Sequence, residues 1–216
     1  MQPLLVAGSW FSVMVALVLI PTVGATVASA QGMGCSSPDR PLVGFAIGRS
    51  SAYFDVTPET LDPAGGSVLV RGGWQVGGRA DLSIGGPWRV RVEGSQAWWE
   101  VERLTYDPNN GQVLSETSEG HVSVRQIGAQ IGLRGGRVPV CWYVLAGGGL
   151  YSLSFRDDSS RQPGVAITPG IEFPTGARGR LQVEVQLHIV NTKNQPPVQG
   201  SAALAAALVA GWSLRF

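Results

Sequence analysis

The chain has 216 residues, enough for one ordinary domain with a full core. A net charge of +1 gives no reason to expect nucleic acid or an acidic substrate. Only 14% of residues are charged, where a soluble domain averages about 25%, and 30 are glycine, so the chain either hides a large core or faces lipid.

The first thirty residues differ from the rest. Residues 10–20, WFSVMVALVLI, form an apolar run, followed by the helix-ending PTVGA and then TVASAQG. The run is short for a membrane span. Ala28-Ser29-Ala30 fits the small-x-small rule for signal-peptidase cleavage, with the mature chain starting near Gln31. We therefore expect a cleaved signal peptide over 1–30 and a leader over 31–41, although no Lys or Arg precedes the apolar run. Cys35 and Cys141 are the two cysteines, and in an exported chain they suggest one disulfide.

From residue 42 onward, about eight segments alternate apolar and polar with period two, the pattern of a strand. The first, near Leu42 to Val56, is the least regular. In SVLVRGGWQVGGRADLSI, Val68, Val70, Trp74, Val76, Ala80, Leu82 and Ile84 oppose Arg71, Gln75, Arg79, Asp81 and Ser83. WRVRVEG sets Trp88, Val90 and Val92 against Arg89, Arg91 and Glu93. RQIGAQIGLR sets Ile127, Ala129, Ile131 and Leu133 against Gln126, Gln130 and Arg134. VCWYVLAGGGLY and GVAITPGIEF continue the pattern, the latter with Glu172 on its polar face. RLQVEVQLHIV is the cleanest, with five apolar residues from Leu181 to Ile189 opposite Arg180, Gln182, Glu184, Gln186 and His188. The eighth is AALVAGWSLRF, which places Leu208, Ala210, Trp212, Leu214 and Phe216 on one face and Arg215 on the other.

Connections alternate in length. Short ones lie at Gly85 to Pro87, Gly135 to Pro139 and Pro174 to Gly179, with long polar ones near Thr57 to Gly66, Asp107 to Gly120, Arg156 to Gly164 and Lys193 to Gly200. That is the rhythm of an up-and-down meander whose ends face different compartments. Two places break phase: Trp98-Trp99 puts aromatics on both faces, and Val122 and Val124 stand out of register with Ile127 onward. Both read as bulges or as strand beyond the membrane.

A soluble and a membrane barrel both alternate, but the membrane barrel puts its apolar face outward. Four features favour the inverted arrangement. The one-face charges are mixed in sign, Arg71, Arg79, Arg89, Arg91, Arg134, Arg180 and Arg215 against Asp81, Glu93, Glu172 and Glu184, so they can neutralise one another in a closed lumen. The same face carries Gly73, Gly77, Gly128, Gly132, Gly147 and Gly149, which would leave room for long arginines. Trp88, Trp142, Phe173, Trp212 and Phe216 lie on the apolar face near the short turns, where a membrane protein places its aromatic girdle. The strands also reach the 9–11 residues or so that cross a bilayer with tilt.

On these residues the chain resembles the small OmpA/OmpX-type outer-membrane β-barrels of Gram-negative bacteria. The resemblance covers essentially all of 42–216 and rests on pattern. It implies an all-β fold, an eight-stranded antiparallel up-and-down transmembrane barrel in the cell outer membrane, among outer-membrane lipid and lipopolysaccharide. It also implies that Leu208, Ala210, Trp212, Leu214 and Phe216 act as the signal read by the barrel-assembly machinery.

The expected role is structural or surface-interacting, with a side-chain-filled lumen, no catalysis and no cofactor. One alternative is an outer-membrane lipid hydrolase. His121 and Ser123 in GHVSV are similar to the His-x-Ser pair of the eight-stranded lipid A deacylases, but Val124 replaces that family's Asn, and Gly135 and Gly136 occupy the region of its later Glu. A second alternative is an adhesin or partner-binding barrel acting through its long extracellular loops. The sequence offers no metal constellation and no phosphate-binding glycine loop. The leader from Cys35 to Leu42 is long enough to cross the mouth of a narrow barrel, so a Cys35–Cys141 disulfide would pin it over the periplasmic opening.

Overall fold

The computed structural model describes residues 35, 41–56, 67–107, 110, 112–137, 139–175, 178–192 and 198–216, with backbone alone at 53–56, 67–69, 106 and 198–201. The proposed signal segment and most of the leader lie outside the described residues.

Among the described residues nine strands follow in chain order: β1 (Leu42–Val56), β2 (Ser67–Val70), β3 (Gly73–Ser83), β4 (Trp88–Tyr106), β5 (Val113–Arg137), β6 (Val140–Phe155), β7 (Asp158–Thr175), β8 (Gly179–Asn191) and β9 (Val198–Arg215). All pair antiparallel with their neighbours, β1 pairs with β9, and β4 pairs with β5, so the sheet closes on itself. β2 pairs with the upper part of β4 and continues the line of β3. The ring therefore has eight staves.

The register fixes the geometry of closure. Stepping across paired residues from Leu42 through Asp81, Arg91, Gln130, Gly147, Ala166, His188 and Ala205 returns to β1 at Ala52, ten residues further along the strand. Eight strands with that stagger tilt about 40–45° to the axis. A barrel this narrow has an interior that side chains alone can fill.

The burial pattern is inverted relative to a soluble protein. Ile127, Leu150, Leu208 and Phe216 are among the exposed large apolar residues, while Arg79, Asp81, Arg89, Arg91, Glu93, Glu172, Arg180 and Glu184 are buried. Along β4, Trp88 and Trp98 both face outward, ten residues apart. With the tilt, that is about 24 Å along the axis, the height of an apolar membrane band. At the short-turn end Phe45 packs against Trp212, ring centroids 6.4 Å apart.

Three expectations need correction. The phase breaks at Trp98-Trp99 and at Val122 and Val124 are not bulges: β4 and β5 stay in continuous register from Trp88 to Val101. Trp99, Val122 and Val124 point inward, because the lining of the lumen itself turns apolar there. The second correction concerns the loops. Asp107 to Gly120 is mostly strand, since β5 begins at Val113, and Arg156 to Gly164 reduces to a two-residue turn between β6 and β7, with Arg156 at φ 54°. These two connections are the outer parts of hairpins, whereas Thr57 to Gly66 and most of Lys193 to Gly200 lie outside the described residues. Residues 113–118 of β5 are exposed on both faces and so carry no apolar alternation, whereas the β6–β7 hairpin keeps Phe155 and Gln162 buried close to its turn.

The third correction is Arg71, which does not line the lumen. The β2–β4 and β3–β4 pairings differ in register by one residue, with Arg71 and Gly72 between them. One extra residue turns the chain over by one face. Val70 then packs against the inner apolar cluster, and Arg71 faces solvent with a side chain 49% exposed.

Candidate functional site

The barrel interior holds the protein's concentrated chemistry, and it is layered. Nearest the short turns lies a network of charges. Glu184 is bracketed by Arg79 and Arg91, each with a guanidinium nitrogen 2.8 Å from a carboxylate oxygen, and it also accepts from Tyr143 and from Gln186. Glu172 accepts from Arg89 Nη1 at 2.8 Å and Arg180 Nη1 at 2.7 Å, and Arg134 pairs with it as well. Asp81 joins the halves, accepting from Arg91 Nε at 2.7 Å and from Arg89. Arg89 and Arg91 also lie over the Tyr143 ring, 4.8 and 5.2 Å from its centroid.

These partners come from β3, β4, β5, β6, β7 and β8, far apart in sequence. Each side chain projects inward because the strand period is two, and the ten-residue stagger sets which ones meet. Glu93 stands at the upper edge, accepting from Gln126 Nε2 and Gln130 Nε2, each at 3.0 Å. Arg215 lies on the inward-facing parity of β9, near the short-turn end.

The glycines play a different part from the one expected. A Cβ at Gly73, Gly132 or Gly147 would strike the backbone of the adjacent strand, so these positions serve close approach between strands. Room for an arginine is made at Gly211, where a Cβ would sit 1.8 Å from Arg79 Nη2.

Above the charges the lining changes. Ala52, Ala97, Trp99, Val101, Val122, Val124, Tyr151, Leu153, Phe155, Val190 and Ala203 form one apolar cluster inside the barrel. Polar groups mark its floor: Gln75 Nε2 donates to Gln186 Oε1 at 2.5 Å, Trp99 Nε1 donates to Ser50 Oγ at 2.9 Å, and Tyr151 Oη lies 2.9 Å from His188 Nδ1. Among the described residues His188 Nε2 meets no hydrogen-bond partner. The cavity here is about 30 Å³, room for one or two waters and not for a ligand of ordinary size.

At the long-hairpin end the barrel continues as a three-stranded extension of β2, β4 and β5. Glu119 takes Arg103, 2.9 Å away, and Arg156, and the Arg156 guanidinium lies 5.2 Å from the Phe155 ring centroid. On the outer face Arg71 pairs with both Glu102 and Glu116. The hydrogen bond between the two carboxyl groups raises the pKa of Glu102 and lowers that of Glu116, and the bond to Glu102 raises that of Arg71.

A disulfide joins Cys35 to Cys141, with Cα atoms 5.7 Å apart, across 106 residues of sequence. Both cysteines are buried at the short-turn end, and Cys141 faces inward. His121 and Ser123 share the outer face of β5, and the register sets Glu100 opposite His121. No hydrogen bond links these three: Glu100 instead accepts from Ser118 Oγ at 3.3 Å. Among the described residues no group of three or more His, Cys, Asp or Glu side chains could hold a metal ion.

Sequence comparison adds no relative, since no protein-family model and no curated protein matches the chain. Solved structures do match. Neisserial surface protein A (NspA) aligns with a TM-score of 0.53 at 17% identity, over 82% of this chain and 97% of its own. The outer membrane protein OprG from Pseudomonas aeruginosa aligns with a TM-score of 0.54 at 11% identity, over 82% of this chain and 96% of its own. At these identities the likeness is one of fold: this chain has the architecture of the Gram-negative outer-membrane β-barrels, with strands in place to cross a membrane.

Proposed function

We propose that the protein is an integral outer-membrane β-barrel with a structural or surface-presenting role, a closed lumen and no catalysis. The observation that carries this reading is the inversion of burial: charged side chains such as Arg79, Asp81, Arg91, Glu172 and Glu184 are buried inside the barrel while its outward face is apolar. In water that surface would be an aggregation hazard, whereas in a bilayer it is the required one. A closed sheet leaves no unpaired edge in lipid, where each unsatisfied backbone group costs several kcal/mol.

Closure of the lumen is supported from both ends. The network around Glu172 and Glu184 fills the lower half, and Arg103, Glu119 and Arg156 cap the upper half. The Cys35–Cys141 disulfide supports a leader drawn across the periplasmic mouth. The long β4–β5 hairpin is then the element presented to the cell exterior. The apolar run at 10–20 with Ala28-Ser29-Ala30 fits export by a cleaved signal peptide, and the outward row Leu208, Ala210, Trp212, Leu214 and Phe216 fits a strand read during barrel assembly.

Fractionation with a gel-mobility test decides the reading. The protein is expected in the outer membrane, migrating anomalously until boiled, and without steady ion conductance in planar bilayers. Recovery in a soluble fraction, with mobility unaffected by heat, would overturn it.

A further inference from the structure

The outward face of β5, β6 and β7 changes character in steps of two residues. One cross-strand row is Ile127, Leu150 and Pro163, all apolar. The next row toward the long hairpins is Arg125, Ser152 and Arg161, and the one after that is Ser123, Ser154 and Ser159. Apolar surface thus gives way to two cations and then to hydroxyls, the order of acyl chain, headgroup and water.

The two arginines are unlike the others at this end. Arg71, Arg103 and Arg156 pair with carboxylates, and Arg49 lies over the Trp74 ring, 4.9 Å from its centroid. Arg125 and Arg161 are exposed, and among the described residues neither forms an ion pair. They flank Ser152 on adjacent strands, so their Cα atoms stand about 10 Å apart. Two guanidiniums can converge on one anion over that hydroxyl, and phosphate suits their planar, forked donors. Directly below them lies the apolar row of Ile127, Leu150 and Pro163, with Ile127 and Leu150 strongly exposed, and below that Val165, Ile131 and Ile167 continue the apolar surface.

We infer that Arg125, Ser152 and Arg161 bind the phosphate of a membrane lipid in the outer leaflet, with its acyl chains lying against Ile127, Leu150 and Pro163. The inference rests on the membrane reading above. A free anion would use the arginines alone. The apolar row directly beneath the arginines is what assigns the site to a lipid.

The test is native mass spectrometry of the full chain folded in detergent micelles, with added phosphatidic acid or with phosphatidylcholine of the same chains. Wild type is expected to retain phosphatidic acid with a preference on the order of tenfold, the scale of lost charge-assisted hydrogen bonds. R125Q/R161Q should lose that preference, R125K/R161K should keep most of it, and excess inorganic phosphate should not displace the lipid. Equal retention by wild type and R125Q/R161Q, or displacement by inorganic phosphate, would overturn the site. All variants should keep heat-modifiable mobility, because neither arginine faces the lumen. Loss of that mobility in wild type would instead strike the membrane reading, and this inference with it.

Discussion

Arg91 Nη1 lies 2.8 Å from Glu184 Oε2 across the barrel interior, and neither side chain meets solvent. Removing one member strands the other in a low-dielectric site. Glu184→Ala or Arg91→Ala should each lower unfolding stability by about 3–5 kcal/mol. Replacing both, as R91M/E184L, should recover much of the loss. Urea unfolding in lipid vesicles, followed by tryptophan fluorescence, measures all three. If both single variants unfold at the wild-type midpoint, the packed charged lumen is wrong.

Gly211 is small because Arg79 occupies the space above it. A Cβ at Gly211 would lie 1.8 Å from Arg79 Nη2 and 2.9 Å from the Phe45 carbonyl oxygen. Arg79 would then have to leave Glu184, so Gly211→Ala should cost about 1–3 kcal/mol. Combining it with Arg79→Ala should cost less than the sum of the two single changes. Strict additivity in the same unfolding assay would show that the two residues do not compete for space.

The carboxyl pair on the extension gives a pH dependence. Glu102 is held above the ordinary glutamate value and Glu116 below it by the hydrogen bond they share. Stability from the raised Glu102 is present below the ordinary value and fades as pH rises through its folded pKa. Stability from the lowered Glu116 is present above the ordinary value and fades as pH falls through its folded pKa. Together they protect the hairpin most near the ordinary glutamate value, about 4.3. Amide exchange at Ser115 to Ser118, corrected for intrinsic rates, should slow from pH 7 toward that point. Glu102→Gln keeps a donor at every pH and should flatten the trend, so an unchanged slope in that variant would contradict the shared proton.

Cys35 and Cys141 should yield no free thiol in non-reduced protein and two after reduction in denaturant. The disulfide closes 106 residues of sequence, and its loss as Cys35→Ser should lower stability by about 2–4 kcal/mol. Two thiols titrating without reductant would remove the bridge from the account.

The strand faces were legible because lipid on one side and a packed lumen on the other enforce a strict period of two. From Leu181 to Ile189 no residue departs from it. The upper lumen was not legible. Val122 and Val124 look out of phase only if the inside is polar throughout, and a sequence does not state where the lining changes. The outer part of β5 read as a loop because Ser115, Glu116, Thr117 and Ser118 have water on both sides, which erases alternation. Arg71 was misplaced by one inserted residue, a shift that only the pairing to β4 reveals. The partners of each lumen charge were beyond reach for a related reason: which arginine meets which carboxylate depends on the stagger of the closed ring, a property of all eight staves at once.

The central claim, that this barrel wears its apolar face outward, is tested most directly by single-tryptophan variants in vesicles containing brominated lipid. Trp88, Trp142 and Trp212 lie on the outward face, whereas Trp99 points into the lumen and is 4% exposed. The account predicts strong quenching of the first three by brominated chains and little quenching of Trp99. Quenching of Trp88, Trp142 and Trp212 by aqueous iodide, with none from the lipid, would contradict it.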